Sequence, residues 1–233
     1  MRILVLQHLA SEHPGNFREV IAQGGHTMET VELDEGETIP PLAEFDALLV
    51  MGGPMDVWET DKFPWLHGEM AVIRDWVGAG RPYLGVCLGH QLLAQALGGE
   101  VGPMDAPDVG IRQVEVPGDD PLFAGVERLC TCFQWHGAEV KRLPPGGVAL
   151  AQSPHCAVEA LKVGPRAYGL QFHMELLPQT AEDWGAIPEY KAALERVRGP
   201  GSMPQIQAEV DAAYAPLLSA AQRIIGNFLA LAA

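Results

Sequence analysis

The segment that decides the fold is PYLGVCLGHQ, residues 82–91. A short apolar run, typical of a buried strand, leads into the pattern Gly-x-Cys-x-Gly, and a helical pattern follows it. This order predicts a nucleophile elbow, a tight turn in which Gly85 and Gly89 avoid side-chain collisions. The free N–H groups at the start of the helix would favour the Cys87 thiolate, and the Leu88 N–H would offer a hydrogen bond to an oxyanion. Without the two glycines, a buried structural cysteine would be the better interpretation.

A base for this nucleophile is predicted in GLQFHME, residues 169–175, at the end of the last predicted strand. His173 and Glu175 are two residues apart, so an extended backbone points both side chains to one side. The carboxylate can then hold one imidazole nitrogen while the other faces Cys87, as in a catalytic triad. For His173 alone, a polar strand end or a satisfied core histidine would be the alternative.

Around the elbow, the first half of the chain alternates strands and helices. The predicted strands are residues 2–7, 27–33, 46–51 and 82–86, and the predicted helices are 14–24, a helix that begins near Pro64, and one that follows the elbow. This order predicts an α/β fold with an open, mostly parallel sheet and helices on both faces.

The second half has a different pattern. Strands are predicted at residues 109–116, 129–135, 147–151, 156–163 and 167–173, with no long helix between them, and helices at 179–197 and 205–231. These strands should be mixed or antiparallel and extend the sheet. Pro216 should start a second helix or kink the last one. We expect one domain, residues 1–233, in which 179–204 is a peripheral helical insertion.

The composition excludes several classes of function. The 233 residues are 48% hydrophobic, enough for a substantial core, and carry a formal net charge of -15. Such an acidic surface disfavours nucleic acid and anionic membranes as partners. We find no signal peptide or membrane span, and therefore expect a cytoplasmic protein whose four cysteines are reduced. No Gly-Lys pair occurs, which excludes a Walker A phosphate loop.

The two segments together resemble the class I glutamine amidotransferases, most closely the amidotransferase domain of GMP synthetase and its free-standing relatives. The residues that match the family's Gly-x-Cys-x-Gly-x-Gln, later His-Pro-Glu and early Gly-Gly-Pro patterns are Gly85, Cys87, Gly89, Gln91, His173, Glu175 and Gly52-Gly53-Pro54. Met174 departs from the pattern, because the family usually has proline there. The resemblance covers roughly residues 1–178 and the last helix, and it implies a flavodoxin-like fold.

The resemblance also implies roles for individual residues. Cys87 would be the nucleophile, His173 the base, and Glu175 the residue that orients the base. The implied oxyanion donors are the backbone N–H groups of Gly53 and Leu88. The implied substrate contacts are Gly52, Gln91, His136 and Gly137, although His136 could equally be a buried polar loop residue. No metal and no cofactor is expected.

The reaction implied is hydrolysis of the glutamine side-chain amide through a cysteinyl thioester, with the ammonia passed to a separate synthetase. The main alternative is a free-standing γ-glutamyl peptidase with the same triad. A protease or chaperone of the same fold is disfavoured, because Leu88 rather than histidine follows Cys87. A non-catalytic binding module is disfavoured by the intact triad.

Overall fold

The computed structural model describes all residues from 1 to 233. The strands are β1 (Arg2–Gln7), β2 (Thr27–Glu32), β3 (Ala47–Val50), β4 (Tyr83–Val86), β5 (Glu100–Glu115), β6 (Leu129–Arg142), β7 (Gly147–Ala151), β8 (Ala160–Val163) and β9 (Ala167–Leu170). The helices are α1 (Phe17–Gln23), α2 (Trp65–Gly78), α3 (Leu88–Ala96), α4 (Thr180–Gly185), α5 (Pro188–Arg198) and α6 (Met203–Ala232). Two short 3₁₀ turns, Leu42–Glu44 and Pro121–Phe123, complete the chain.

The main sheet has seven strands in the order β2-β1-β3-β4-β9-β8-β7. The first five of these are parallel, and β8 and β7 continue the sheet antiparallel. The mostly parallel α/β sheet is therefore confirmed, as is its extension by antiparallel strands. The carboxyl ends of β1, β3, β4 and β9 lie side by side at one edge, which is where α/β proteins form their sites.

Alternate residues of the central strands enter two separate cores. Ile3, Leu49 and Val86 face the core that contains α1, α4, α5 and α6. Their neighbours Leu4 and Leu48 face the second core, which contains α2 and α3. The strands are apolar at nearly every position because helices cover both faces of the sheet.

Two predicted strands pair differently from expectation. The segments predicted at 109–116 and 129–135 belong to β5 and β6, which form their own two-stranded antiparallel sheet and do not extend the main one. Both strands are longer than predicted, and their register shifts between Glu100 and Val101 and between Pro103 and Asp108. The pair still meets the ends of the main sheet through two isolated antiparallel bridges, Glu115 to Gln152 just beyond β7 and Phe133 to His173 just beyond β9.

The segment 179–204 is helical, as predicted, but its helices α4 and α5 are not peripheral. Trp184, Tyr190 and Leu194 are 1%, 7% and 2% exposed and belong to the larger core. These large side chains face the core, whereas the charged residues and the prolines around them lie on the solvent side. The segment therefore covers the end of the sheet at which the site forms.

The last helix, α6, is continuous over thirty residues, and Pro216 lies inside it rather than starting a second helix. By length and composition alone α6 could cross a membrane, a test that core helices also pass. One side of α6 is buried in the larger core through Ile206, Val210, Leu217 and Ile224. This packing is that of a core helix.

Candidate active site

The elbow has the strained geometry that the sequence predicts. Strand β4 ends at Val86, helix α3 begins at Leu88, and Cys87 between them has φ 50° and ψ -101°. Cys87 is the one non-glycine residue with a positive φ. Such a conformation costs about 1–3 kcal/mol and is typical of functional positions. It is held in part by the Cys87 N–H, which donates to the Leu170 carbonyl at 2.7 Å.

The two flanking glycines are required by close backbone contacts. A Cβ at Gly85 would lie 2.4 Å from the carbonyl oxygen of Gly89. A Cβ at Gly89 would lie 2.2 Å from the carbonyl oxygen of Val50 on β3. No side chain fits at either position, so the Gly-x-Cys-x-Gly pattern has a direct steric cause.

His173 and Glu175 form a buried pair just beyond β9. His173 Nδ1 is 2.7 Å from Glu175 Oε1, and the side chains are 0% and 3% exposed. Burial acts to lower the pKa of His173, but the Glu175 carboxylate and the Cys87 sulfur outweigh it and leave that pKa well above its ordinary value. The Met174 N–H donates to Glu175 Oε2 at 2.9 Å, so both carboxylate oxygens are held.

The nitrogen of His173 that does not contact Glu175 remains free for chemistry. Nε2 is buried and makes no hydrogen bond within the protein. The Cys87 sulfur, which acts on this ring electrostatically, also accepts a weak hydrogen bond from Gln171 Nε2 at 3.7 Å. The structure therefore brings Cys87, His173 and Glu175 together, as the two sequence motifs predict.

The Gly52-Gly53 turn follows β3 and lies next to the elbow. His8 Nδ1 is 2.8 Å from the Gly52 carbonyl oxygen, and His8 Nε2 is 2.9 Å from Glu69 Oε1. Burial acts to lower the pKa of His8, but the Glu69 carboxylate outweighs it, so that pKa is raised. The buried His8 ring thus connects the Gly52 carbonyl to Glu69 and holds the turn in place.

The two predicted oxyanion donors remain available. Neither the Gly53 nor the Leu88 N–H is taken up by a backbone carbonyl. Leu88 is the first residue of α3, where helix N–H groups have no partner within the helix. A Cβ at Gly53 would lie 3.0 Å from Leu88 Cδ2, so the two residues are neighbours.

A pocket of about 160 Å³ opens over the cysteine. Its wall includes the predicted residues Gly53, Cys87, Gln91, His136 and Gly137. Of the predicted substrate contacts, only Gly52 lies outside the wall. Its neighbours are the side chain of Glu12 and the imidazole of His173.

Two of the pocket residues are already partly engaged. Gln91 Nε2 donates to the Ala138 carbonyl and to Gln171 Oε1, at 3.2 and 3.1 Å. His136 Nδ1 lies 3.0 Å from the same carbonyl, and burial lowers the pKa of His136 to about 4. The His136 ring is therefore neutral, with Nδ1 as donor and Nε2 as a buried acceptor without a partner.

Several residues near the site carry no signal in the sequence motifs. They are His8, Glu12 and Asn16 after β1, Gln171 before the base, and Trp184 and Tyr190 in the segment 179–204. Trp184 packs its ring 4.5 Å from the ring of His173. Tyr190 lines the pocket and donates a hydrogen bond to Glu12. The rule that sites form at the carboxyl ends of parallel strands could have pointed to the residues after β1.

One group of side chains has the composition of a metal site. The ligand atoms of Glu12, His173 and Glu175 lie within 4.8 Å of one another. His173 and Glu175 are hydrogen-bonded to each other, and Glu12 accepts a hydrogen bond from Tyr190. That the protein works without a metal remains a prediction.

Comparison with known families places the chain. The family model described as glutamine amidotransferase class-I matches residues 15–184. This span includes Cys87, His173 and Glu175 and is well over half of the chain. The chain therefore belongs to the class-I glutamine amidotransferase family.

Individual relatives agree with this. One of the subunits of the glutamine-hydrolysing GMP synthase of Sulfolobus acidocaldarius is 34% identical over 152 residues, which are 64% of this chain and 77% of the relative. The glutamine amidotransferase-like protein YfeJ of Salmonella typhimurium is 31% identical over 206 residues, 85% of each chain. The crystal structure of a glutamine amidotransferase from Thermotoga maritima is 26% identical, covers 98% of both chains and superposes with a TM-score of 0.87.

Proposed function

We propose that the chain is an active enzyme that hydrolyses the side-chain amide of glutamine, with Cys87, His173 and Glu175 as its catalytic triad. The observation that carries the proposal is the strained Cys87 at the wall of a pocket, close to a buried histidine. Nδ1 of this histidine, His173, lies 2.7 Å from Glu175 Oε1, which leaves Nε2 for Cys87. A nucleophile, a base and an orienting carboxylate are the parts that covalent amide hydrolysis requires.

In the first half of the reaction, the Cys87 thiolate attacks the amide carbon of glutamine. The N–H groups of Gly53 and Leu88 stabilise the tetrahedral oxyanion, an interaction worth about 3–4 kcal/mol per donor in related sites. The protonated His173 gives its proton to the departing ammonia, and a glutamyl thioester on Cys87 remains. No metal or organic cofactor enters this step.

In the second half, His173 removes a proton from water, which attacks the thioester and releases glutamate. Glu175 keeps the imidazole in the required orientation and stabilises its charged form. Gln91, His136 and Gly137 contact the substrate from the pocket wall. Gly52 acts indirectly, because a side chain there would collide with the Glu12 carboxylate and crowd the ring of His173.

The ammonia is consumed by a separate synthetase in this proposal, and both proteins are cytoplasmic. Support comes from the relatives, several of which are named as subunits of the glutamine-hydrolysing GMP synthase. The γ-glutamyl peptidase alternative uses the same residues on a substrate with a larger leaving group, and the following experiment separates the two.

The test incubates the protein with L-glutamine and, separately, with a γ-glutamyl dipeptide, and follows ammonia and glutamate release. Cys87→Ala should abolish turnover, whereas the control Cys130→Ala, a buried cysteine on β6, should retain it. Release of ammonia from glutamine supports the proposal. Cleavage of the dipeptide alone would show a peptidase, and turnover that survives Cys87→Ala would contradict the mechanism.

A glutamine-analogue electrophile gives a second readout that does not require turnover. Burial raises the pKa of Cys130 to about 12 and raises the pKa of Cys132 and Cys156 as well, so these thiols should stay unreactive. Mass spectrometry should find one adduct, on Cys87. If Cys87 is labelled without turnover, an activating partner is missing, and if it is not labelled, the assignment of the nucleophile is wrong.

A further inference from the structure

A second carboxylate lies beside the imidazole of His173. Glu12 follows β1 and is 1% exposed. Its carboxylate, the ring nitrogen of His173 and the carboxylate of Glu175 have ligand atoms within 4.8 Å of one another. A Cβ at Gly52 would lie 2.4 Å from Glu12 Oε2 and 3.2 Å from His173 Cε1, so the carboxylate and the edge of the ring meet above this glycine.

Burying this carboxylate is costly, and little in its surroundings compensates for it. Glu12 Oε1 accepts a hydrogen bond from the Tyr190 hydroxyl, but Oε2 is buried without a partner. No lysine or arginine is paired with it, and the cationic partners within reach are His173 and His8. Burial raises the pKa of Glu12 to about 7, against the opposing effects of His173 and Tyr190. A group kept under such conditions is a candidate for a functional role.

We propose that Glu12 is a positioning residue for His173, and that Tyr190 holds Glu12 in place from helix α5. Glu175 binds the ring at Nδ1, and Glu12 lies beside the Cε1 edge. With carboxylates at both places, the imidazole is restrained from turning, and Nε2 stays directed at Cys87. The negative charge of Glu12 also stabilises the imidazolium that forms when Cys87 loses its proton. This inference rests on the proposed catalytic role of His173.

The arrangement couples the covering segment to the base. Tyr190 lines the pocket over Cys87, and its backbone carbonyl accepts a hydrogen bond from Trp135 Nε1 at 3.1 Å. Trp184 of the same segment packs against the ring of His173. The helices α4 and α5 therefore reach the base through one aromatic contact and through the Tyr190–Glu12 hydrogen bond, so their placement affects how well the base is aligned.

The test compares Glu12→Gln with Glu159→Gln. Glu159 is a matched control, because it is also buried, its pKa is also raised to about 7 by burial, and its partner is Gln134 rather than His173. We expect Glu12→Gln to lower kcat about 30-fold with little change in KM, and Tyr190→Phe to lower it about fivefold. Glu159→Gln should keep kcat within about twofold of the wild type. Glu12→Asp, which keeps the charge, should recover part of the loss.

A pH profile separates positioning from a merely structural role. Removing the negative charge of Glu12 makes proton loss from His173 easier, so the alkaline limb of kcat/KM should move to lower pH by about one unit. Glu159→Gln should leave the limb unchanged. The titratable groups around Glu12 and His173 are Cys87, Glu175, Tyr190, His8, His13 and His136, and none of them is altered in either glutamine variant.

The rate of alkylation of Cys87 by iodoacetamide, measured as a function of pH, provides a readout that needs no turnover. The midpoint of this pH profile should also move to lower pH in Glu12→Gln and not in Glu159→Gln. If the wild type is inactive but this shift appears, the proposed reaction fails while the positioning role stands. The positioning role would be overturned if Glu12→Gln had the same kcat and the same alkaline limb as the wild type. It would also be overturned if Glu12→Gln and Glu159→Gln lost kcat equally, with parallel falls in Tm.

Discussion

The two sides of the candidate active site, named the nucleophile side and the base side after the proposed roles of Cys87 and His173, are built in different ways. The nucleophile side is local, because β4, Cys87 and the start of α3 lie within ten residues and two glycines determine the turn. The base side is assembled from distant parts of the chain. His173 and Glu175 are held by the loop after β1, by a bridge to β6 and by α4 and α5. A local element leaves a motif in the sequence, whereas a support assembled over long range does not.

The loop after β1 shows how closely the base side depends on remote residues. The Asn16 N–H donates to the Glu175 carbonyl at 2.9 Å. Asn16 Nδ2 donates to the carbonyls of Met174 and Leu176 at 2.7 and 2.9 Å. A side chain some 158 residues away thus binds the backbone on both sides of Glu175.

The largest effect should come from Gly15→Ala. Gly15 has φ +47°, and a Cβ there would lie 1.5 Å from the carbonyl oxygen of Glu175. The loop or the base segment must move, so we expect a loss of activity of at least about 100-fold and a stability loss of about 3 kcal/mol or more. Gly25→Ala is the control, since Gly25 also has a positive φ but nothing within 4 Å, and it should cost only about 1–2 kcal/mol.

The Gly15 variant also tests whether the two sides are independent. If they are, Gly15→Ala should lose turnover while Cys87 remains alkylated by iodoacetamide at a measurable rate. Gly89→Ala, which collides with Val50 at the elbow, should lose both. A Gly15 variant with full activity would mean that the loop adapts and that the base side does not depend on it.

A smaller effect is expected from Asn16→Ala. It removes two hydrogen bonds from buried carbonyls, which should cost about 2 kcal/mol of stability and about tenfold in kcat. Asn227→Ala is matched to it, because Asn227 Nδ2 also donates to two carbonyls, those of Leu122 and Ala124, away from the site. The control should lower Tm without a specific fall in kcat, and equal falls in kcat would show that Asn16 has no particular link to the base.

The same division between local and long-range elements separates the features that the sequence predicts from those that it does not. Strands β1, β3 and β4 and helix α3 are predicted close to their observed bounds, because continuous apolar runs and glycine stops encode them directly. The proximity of Cys87, His173 and Glu175 is predicted from two short motifs. Both successes rest on short-range patterns.

The features that the sequence does not predict rest on pairing and packing over long range. Periodicity identifies the strands β5 and β6 but not their partner, so it does not reveal their separate sheet. Charge and proline dominate the segment 179–204, and they conceal the burial of Trp184 and Tyr190. Glu12 is a single glutamate in a loop, and no pattern distinguishes it from an exposed one.

The two buried histidines on opposite sides of the site should differ in their effect on acid stability. Burial lowers the pKa of His90, on α3, to about 4, whereas the pKa of His173 is raised. A histidine with a lowered pKa stabilises the fold above its unfolded value of 6.5, and that stability is lost as the pH falls toward 4. His90 should therefore account for about 2 kcal/mol of the stability lost between pH 7 and pH 5.

The measurement is the difference between the unfolding free energies at pH 7 and pH 5 in the wild type and in His90→Gln. Any constant cost of the substitution cancels in this difference. The variant should lose about 2 kcal/mol less than the wild type over this range. His67→Gln, at an exposed histidine on α2, controls for the loss of an imidazole as such. An unchanged difference in His90→Gln would show that His90 is not kept neutral in the fold.

The smallest effect concerns Met174, which stands where the class I pattern His-Pro-Glu has proline. The Met174 N–H donates to Glu175 Oε2 at 2.9 Å, a hydrogen bond that proline cannot make. Met174→Pro should therefore free one oxygen of Glu175 and lower kcat about threefold to tenfold, while the 2.7 Å contact between His173 and Glu175 preserves the rest. Met174→Leu keeps the N–H and an apolar side chain, so it corrects for the loss of a fully buried methionine. If the proline and leucine variants have the same kcat, the N–H does not contribute to catalysis. The carboxylate would then be oriented by His173 and by the backbone that Asn16 holds, which would make the base side even more dependent on the distant loop.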